Sequence, residues 1–170
     1  MEHLAEFLTA HPVAALGAAF AIAFCESFLL VSFVFPGSTL LFALGVMAAA
    51  TPVPLGGILA GAVLGSIAGQ ASSFWLGRSF RRVPSRVWPF NRNPELIGEA
   101  QAFMQECGTA GTFVSRFLAP MRAVVPFVAG MFGLTEARFW FLNIASALIW
   151  APGVALSGVI TFVVAKAIVT

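Results

Sequence analysis

Three charged residues stand inside otherwise apolar sequence: Glu26, Arg116 and Arg122. A charge at mid-membrane depth costs about 2.5–3.5 kcal/mol on insertion scales, so three unpaired ones would cost roughly 8–10 kcal/mol. Residues kept at such a cost usually face a cavity or a partner and mark a substrate or ion path. One carboxylate cannot neutralise two guanidinium groups. The surplus positive charge is best completed by an anion, and arginine grips phosphate oxygens bidentately. These residue types therefore point to a membrane-embedded pocket for a phosphate-bearing amphiphile, with Glu26 as a candidate proton-linked group. The plainer reading is a Glu–Arg pair that staples two broken helices together. It accounts for one arginine and leaves the other over.

The rest of the composition says what must position them. Of 170 residues, 59% are hydrophobic and 9% charged: eight Arg, one Lys, seven Glu and no Asp. An ordinary soluble domain is about a quarter charged, so a soluble globular fold is excluded, and disorder is excluded by the hydrophobicity. A net charge of +2, scattered along the chain, is too small for a nucleic-acid partner. At about 20 residues per span, the length suits four to six membrane elements in one membrane domain, residues 1–170. His3 and His11 both precede the apolar blocks, which leaves no histidine for a triad or metal site in the core; no metal and no cofactor are expected. Cys25 and Cys107 read as two free buried thiols. Glu2 and Glu6, with no basic residue before the apolar run, argue against a signal peptide.

Residues 27–77 carry no charge over 51 positions, and residues 139–165 carry none over 27. Between them, 78–106 holds Arg78, Arg81, Arg82, Arg86 and Arg92 with Glu95, Glu99 and Glu106. The positive-inside rule places that loop in the cytoplasm. Within 78–108 a helix is predicted: Asn93 caps it, Pro94 starts it and Gly108 follows its end. Leu96, Ile97, Ala100, Phe103, Met104 and Cys107 share one face, so the helix lies along the membrane interface or packs against the bundle.

The first half, 12–77, must turn inside or near the bilayer. Pro36-Gly37-Ser38 is one break and Thr51-Pro52-Val53-Pro54 a second. Nine residues separate Glu26 from Pro36, roughly 15 Å of helix, which is half a hydrocarbon core and fits a re-entrant hairpin. Gly57, Gly61, Gly65, Gly69, Ser73 and Gly77 follow at four-residue steps and predict close helix packing, with Gln70 and Ser72 adding hydrogen-bonding capacity. The second half, 109–170, repeats the theme with a re-entrant hairpin broken at Pro120 and Pro126, and Arg116 and Arg122 each stand four residues before one of these prolines. Each proline frees the carbonyl four residues earlier, the arginine's own. In a continuous helix six residues would turn the two arginines by about 240°, a separation of about 120°, so a break at Pro120 is needed to let them share a site. The final block, 139–165, spans the membrane, with Asn143 as an internal polar group and a kink at Pro152-Gly153. Interrupted apolar segments in both halves are the sequence mark of a transporter.

At these residues the sequence resembles the DedA family, bacterial relatives of the eukaryotic VTT-domain proteins, over about residues 20–160. Phe24-Cys25-Glu26 with Phe35-Pro36-Gly37 looks like the family's Phe-x-Glu and Pro-Gly hairpin. Gly69-Gln70 through Gly77-Arg78 resembles its Gly-Asp-x-x-x-Tyr-x-x-Gly-Arg stretch, and Ser115-Arg116-Phe117-Leu118-Ala119-Pro120-Met121-Arg122, with Pro126 and Ala129-Gly130, is the most specific piece. Phe139, Asn143, Ala147 and Trp150 continue the pattern. The resemblance implies an all-α integral membrane protein with two opposed re-entrant hairpins, multi-pass in a bacterial inner membrane. It implies movement of phospholipids or polyprenyl phosphates such as undecaprenyl phosphate between leaflets, and it makes Glu26, Arg116 and Arg122 the essential residues. The chain departs from the family at Ser38, where many members carry an acid, at Gln70 for Asp and at Phe74 for Tyr. Glu26 is then the sole carboxylate inside the membrane blocks, which favours a scramblase, or a carrier using Glu26 alone, over proton coupling through an acid pair. The expected partners are membrane lipids, with protons and a second copy of the chain left open. A structural or assembly role is the first alternative. An intramembrane lipid phosphatase or protease is the weaker one, because the core offers no His or Asp and Ser157 has no base.

Overall fold

The computed structural model describes residues 10–80, 95–119 and 121–169. Among them every regular element is helical: α1 (Pro12–Ser27), α2 (Leu29–Ser32), α3 (Gly37–Ala50), α4 (Leu55–Ser79), α5 (Glu95–Cys107), α6 (Gly111–Val114), α7 (Met121–Met131) and α8 (Glu136–Val169). Short 3-10 turns, Gly108–Ala110 and Ser115–Phe117, flank α6.

Both expected breaks of the first half are present. Pro36 stands at the N-cap of α3, and extended backbone at Thr51 and Pro54 separates α3 from α4. A further break, not anticipated, falls at Phe28, whose extended backbone ends α1. The N–H of Leu29 that this break releases donates to Ser73 Oγ at 2.9 Å, so a hydroxyl of α4 replaces the lost helical partner.

In the second half the chain leaves helical geometry at Leu118, next to Pro120, which lies outside the described residues. Pro126 behaves differently from the expectation that it breaks the segment. It sits inside α7, which continues across it. Its freed carbonyl, that of Arg122, accepts a hydrogen bond from Gln70 Nε2 at 3.0 Å, so the helix keeps its shape without the missing N–H. Helix α8 likewise runs unbroken through Pro152.

Helices α4 and α8 are long and apolar enough to cross a membrane. At 1.5 Å per residue their 25 and 34 residues reach about 37 and 51 Å, against about 30 Å of hydrocarbon. Along α8, Phe141, Leu148, Ile149, Ile160 and Val163 are all exposed, a continuous apolar face suited to lipid.

Glycines set how closely the helices approach. A Cβ placed on Gly61, Gly65 or Gly69 would come within 2.2, 2.1 and 2.6 Å of the carbonyl oxygens of Leu16, Phe20 and Phe24, so α4 and α1 meet backbone to backbone. Further along the same stripe the partner changes to α7. Gly77 faces the Phe127 carbonyl, and Gly130 reciprocally faces that of Phe74. Helices α3 and α8 meet in the same manner at Gly45 against Ala155 and Gly158 against Phe42. The predicted stripe is thus a packing device.

Helix α5 buries Ile97 and Ala100 against α7, in a cluster with Val124, Phe127 and Val128, while Glu95, Glu99 and Glu106 stay exposed. Of the two placements expected for it, packing on the bundle is observed. Gly108 follows with a φ of +57°, the left-handed ending that glycine adopts without strain. The expected cap and first turn, Asn93 and Pro94, and the loop arginines 81, 82, 86 and 92 lie outside the described residues.

Candidate functional site

The three charges set in apolar sequence converge, together with residues from both halves. Glu26 lies in the last turn of α1 and is 3% exposed. Its carboxylate rests against the start of α3. A Cβ on Gly37 would lie 2.5 Å from Glu26 Cβ and 2.6 Å from Oε2, so only glycine leaves room for the acid there. The N-terminus of a 14-residue helix carries partial positive charge, which favours a carboxylate at this spot. Ser38, one residue further, donates its hydroxyl to Glu26 Oε1.

Arg122 reaches this corner from the first turn of α7. Its Nη1 makes an ion pair with Glu26 Oε1 and donates to Ser38 Oγ at 3.1 Å. Its Cζ stands 5.7 Å over the ring of Trp150 on α8, a cation–π contact. Nε donates weakly to the Ala119 carbonyl at 3.4 Å. Arg122 is therefore neutralised, oriented and stacked.

Arg116 is held by neutral groups alone. It is 1% exposed, the largest fully buried side chain of the described residues. Nε donates to Ser146 Oγ at 2.8 Å, and Nη2 donates to Gln70 Oε1 at 2.7 Å, to Asn143 Oδ1 and, at 3.4 Å, to the Asn143 carbonyl. No carboxylate of the described residues pairs with it. Its Nη1 is buried with no hydrogen-bond partner, as are Thr112 Oγ1 and Glu26 Oε2.

Gln70 links the two corners. Its oxygen accepts from Arg116 while its nitrogen donates to the Arg122 carbonyl that Pro126 frees. A carboxylate could do the first and, when ionised, not the second, because it has no donor. Asn143 also works in both directions, since its Nδ2 donates to the Ile67 carbonyl of α4 at 3.1 Å.

The remaining residues singled out in the sequence divide between this site and its support. Pro36, Gly37 and Ser38 shape the Glu26 corner, and Pro126 supplies the carbonyl for Gln70. Gly130 acts in packing, against α4. Arg78 is apart from the site. It is partly exposed, pairs with Glu136 at the start of α8, and lies 5.7 Å over the ring of Phe74, which itself stacks on Phe139 at 4.0 Å.

Sequence reasoning did not single out Ser146, Thr112 or the break at Phe28, and placed Trp150 only by resemblance. The i, i+3 spacing of Asn143 and Ser146 on one helix face was the available signal for Ser146. Among the described residues no cluster of three His, Cys, Asp or Glu side chains is placed to hold a metal ion.

The chain is similar to known proteins over most of its length. The VTT domain family model matches residues 35–160. Inner membrane protein YabI of Escherichia coli K12 is 32% identical over 158 residues, which cover 92% of this chain and 62% of the relative. Inner membrane protein YqjA of the same strain is 31% identical over 135 residues, 77% of this chain and 60% of that protein. Protein DedA, also of that strain, is 29% identical over 155 residues, 87% and 69% of the two chains. The chain thus spans about three-fifths of the length of YabI and YqjA. No solved structure matches it. A VTT-domain match over most of the chain, with 32% identity to a named inner membrane protein, shows that the chain is a membrane protein of the DedA family.

Proposed function

We propose that the chain moves a phosphate-bearing lipid between the leaflets of a bacterial inner membrane, with Arg116 receiving the phosphate. One observation carries this reading. Arg116 is fully buried, paired with no carboxylate among the described residues, and keeps one guanidinium nitrogen without a partner. A buried cation satisfied only by amides and hydroxyls retains its full charge, and a lipid phosphate is the anion that a bilayer brings to that depth. Glu26 is already matched by Arg122, so the cluster's surplus of one positive charge resides at Arg116.

In this proposal each half contributes a re-entrant hairpin. Helices α3 and α7, with 14 and 11 residues, reach about 21 and 16 Å, short of a full crossing. The first hairpin turns at Pro36-Gly37 and the second near Pro120, and they bring Glu26, Arg116 and Arg122 to one depth. The arginine-rich 78–106 loop faces the cytoplasm. The activity is transport with no catalytic step. With Gln70 and Ser38 where acids would add protonation sites, the proposal is of a scramblase or a carrier that uses Glu26 alone.

The test is transfer of a labelled polyprenyl phosphate, beside labelled phosphatidylethanolamine, in proteoliposomes. Arg116→Gln is expected to lower transfer at least about 100-fold, the loss of one charge-assisted contact set worth about 3 kcal/mol. Transfer at the parent rate would overturn the reading, and indifference to an imposed pH gradient would favour the scramblase form over the carrier.

A second reading is favoured by a specific contact. The Glu26–Arg122 pair joins α1 to α7 and so staples the two halves, as an assembly role would require. Under that reading Arg116→Gln leaves transfer unchanged and alters only stability.

A further inference from the structure

Buried polar atoms are hydrogen-bonded in roughly nine cases out of ten, so the exceptions call for an explanation. Three are found among the described residues. Glu26 Oε2 lies at the start of α3, where the helix end compensates a negative charge. The other two, Thr112 Oγ1 and Arg116 Nη1, have no such compensation. Both residues are buried, Thr112 at 0% exposure and Arg116 at 1%. They stand four residues apart in a stretch that is helical throughout, α6 followed by the 3-10 turn Ser115–Phe117. Side chains at that spacing lie on the same side of a helix.

Helix hydroxyls elsewhere in the molecule show the usual local solution. Ser115 Oγ bonds the Thr112 carbonyl, and Ser66, Ser72, Ser157 and Thr161 each bond a carbonyl three or four residues back on their own helix. Thr112 makes no such bond. Its hydroxyl is left available, and four residues on a guanidinium N–H of Arg116 is left available as well.

We propose that Thr112 and the open Nη1 of Arg116 form a buried two-donor seat for one anionic phosphate oxygen. This inference rests on the transport reading above and adds to it a residue that determines how tightly the headgroup is held. The seat would order one oxygen, while Gln70, Asn143 and Ser146 keep the guanidinium plane fixed.

The experiment uses the detergent-purified chain and reads the rise of Tm with added ligand. The probes are dihexanoyl phosphatidic acid, inorganic phosphate, and dihexanoylglycerol as the phosphate-free control. Thr112→Val keeps the volume and deletes an unpartnered buried hydroxyl, so on structural grounds alone its basal Tm equals or exceeds the parent's. The seat predicts that this variant needs at least about 10-fold more phosphatidic acid for the same shift, the loss of one hydrogen bond to a charged group. Thr112→Ser, which keeps the hydroxyl, is expected to stay within about twofold of the parent. A response to phosphatidic acid alone assigns the seat to a lipid headgroup, and the same Thr112 dependence with inorganic phosphate assigns it to the free ion as well. Superimposable curves for parent and Thr112→Val overturn the proposal, as does a fall in basal Tm with an unchanged ligand response. Arg116→Gln separates the two claims. If it abolishes the shift while Thr112→Val does not alter it, the seat alone falls, whereas a shift that survives Arg116→Gln removes the transport site with it.

Discussion

The two arginines of the site are six residues apart in sequence and are held in opposite ways. Arg122 meets a carboxylate, a serine and the face of Trp150. Arg116 meets two amides and a serine and no carboxylate of the described residues. Taking two charges out of water together is tolerable when each balances the other, whereas a lone buried cation is costly even when hydrogen-bonded. The first corner is balanced in charge, with the second oxygen of Glu26 resting at the start of α3. The second is well oriented and electrically unfinished, which is what a receptor for an anion requires.

The sharpest way to break this contrast is to remove Glu26. Glu26→Ala leaves Arg122 without its counter-charge and should cost about 3–5 kcal/mol, read from denaturation of the purified protein in detergent. Glu26→Gln combined with Arg122→Gln should recover most of that loss, because no uncompensated charge remains. Arg116→Gln is expected to be milder for stability, about 1–3 kcal/mol, since it leaves acceptors short of donors and also removes an unpaired cation. Equal losses for Glu26→Ala and Arg116→Gln would erase the distinction between the corners.

Gln70→Glu makes the second corner resemble the first. It offers Arg116 a carboxylate and deprives the Arg122 carbonyl of its donor. Lipid transfer should fall about 10-fold while stability changes by about 1–2 kcal/mol, and an undiminished rate would show that the surplus charge is dispensable. The smallest effect belongs to Arg78→Gln. The Arg78–Glu136 pair is exposed, with side chains 42% and 56% accessible, and exposed pairs contribute about 0–1 kcal/mol. Thermal denaturation should barely register it, in contrast to the buried pair.

The contrast also explains which parts of the site could be read in the sequence. Glu26, Arg116 and Arg122 were visible because a charge in an uncharged block needs a reason. Pro126 gave the identity of the freed carbonyl, and that carbonyl is indeed taken up by another group. The pairing was not visible, since one acid and two bases allow either match and only tertiary structure brings Arg122 to Glu26. Ser146 and Thr112 were silent for a different reason. A hydroxyl in an apolar helix commonly bonds a carbonyl of its own helix, so its presence alone says nothing about a site. The glycine stripe was read correctly as packing, yet its four-residue period could not tell that its partner changes from α1 to α7. For α5, one apolar face suited either a membrane surface or a protein surface, and only the fold shows that Ile97 and Ala100 of it pack on α7.

The glycine contacts have a mechanical consequence. Where backbones touch, no layer of side chains remains to shear, so α1, α4 and α7 are locked as one block and α3 and α8 as another. The polar residues lie along the seam between these blocks. Glu26 of α1 and Arg122 of α7 reach across to Ser38 of α3, and Gln70 of α4 shares Arg116 with Asn143 and Ser146 of α8. These hydrogen bonds cross from one block to the other, so the site is assembled only where the two meet. An anion held at Arg116 would therefore touch both blocks at once, through Gln70 on one side and Asn143 and Ser146 on the other.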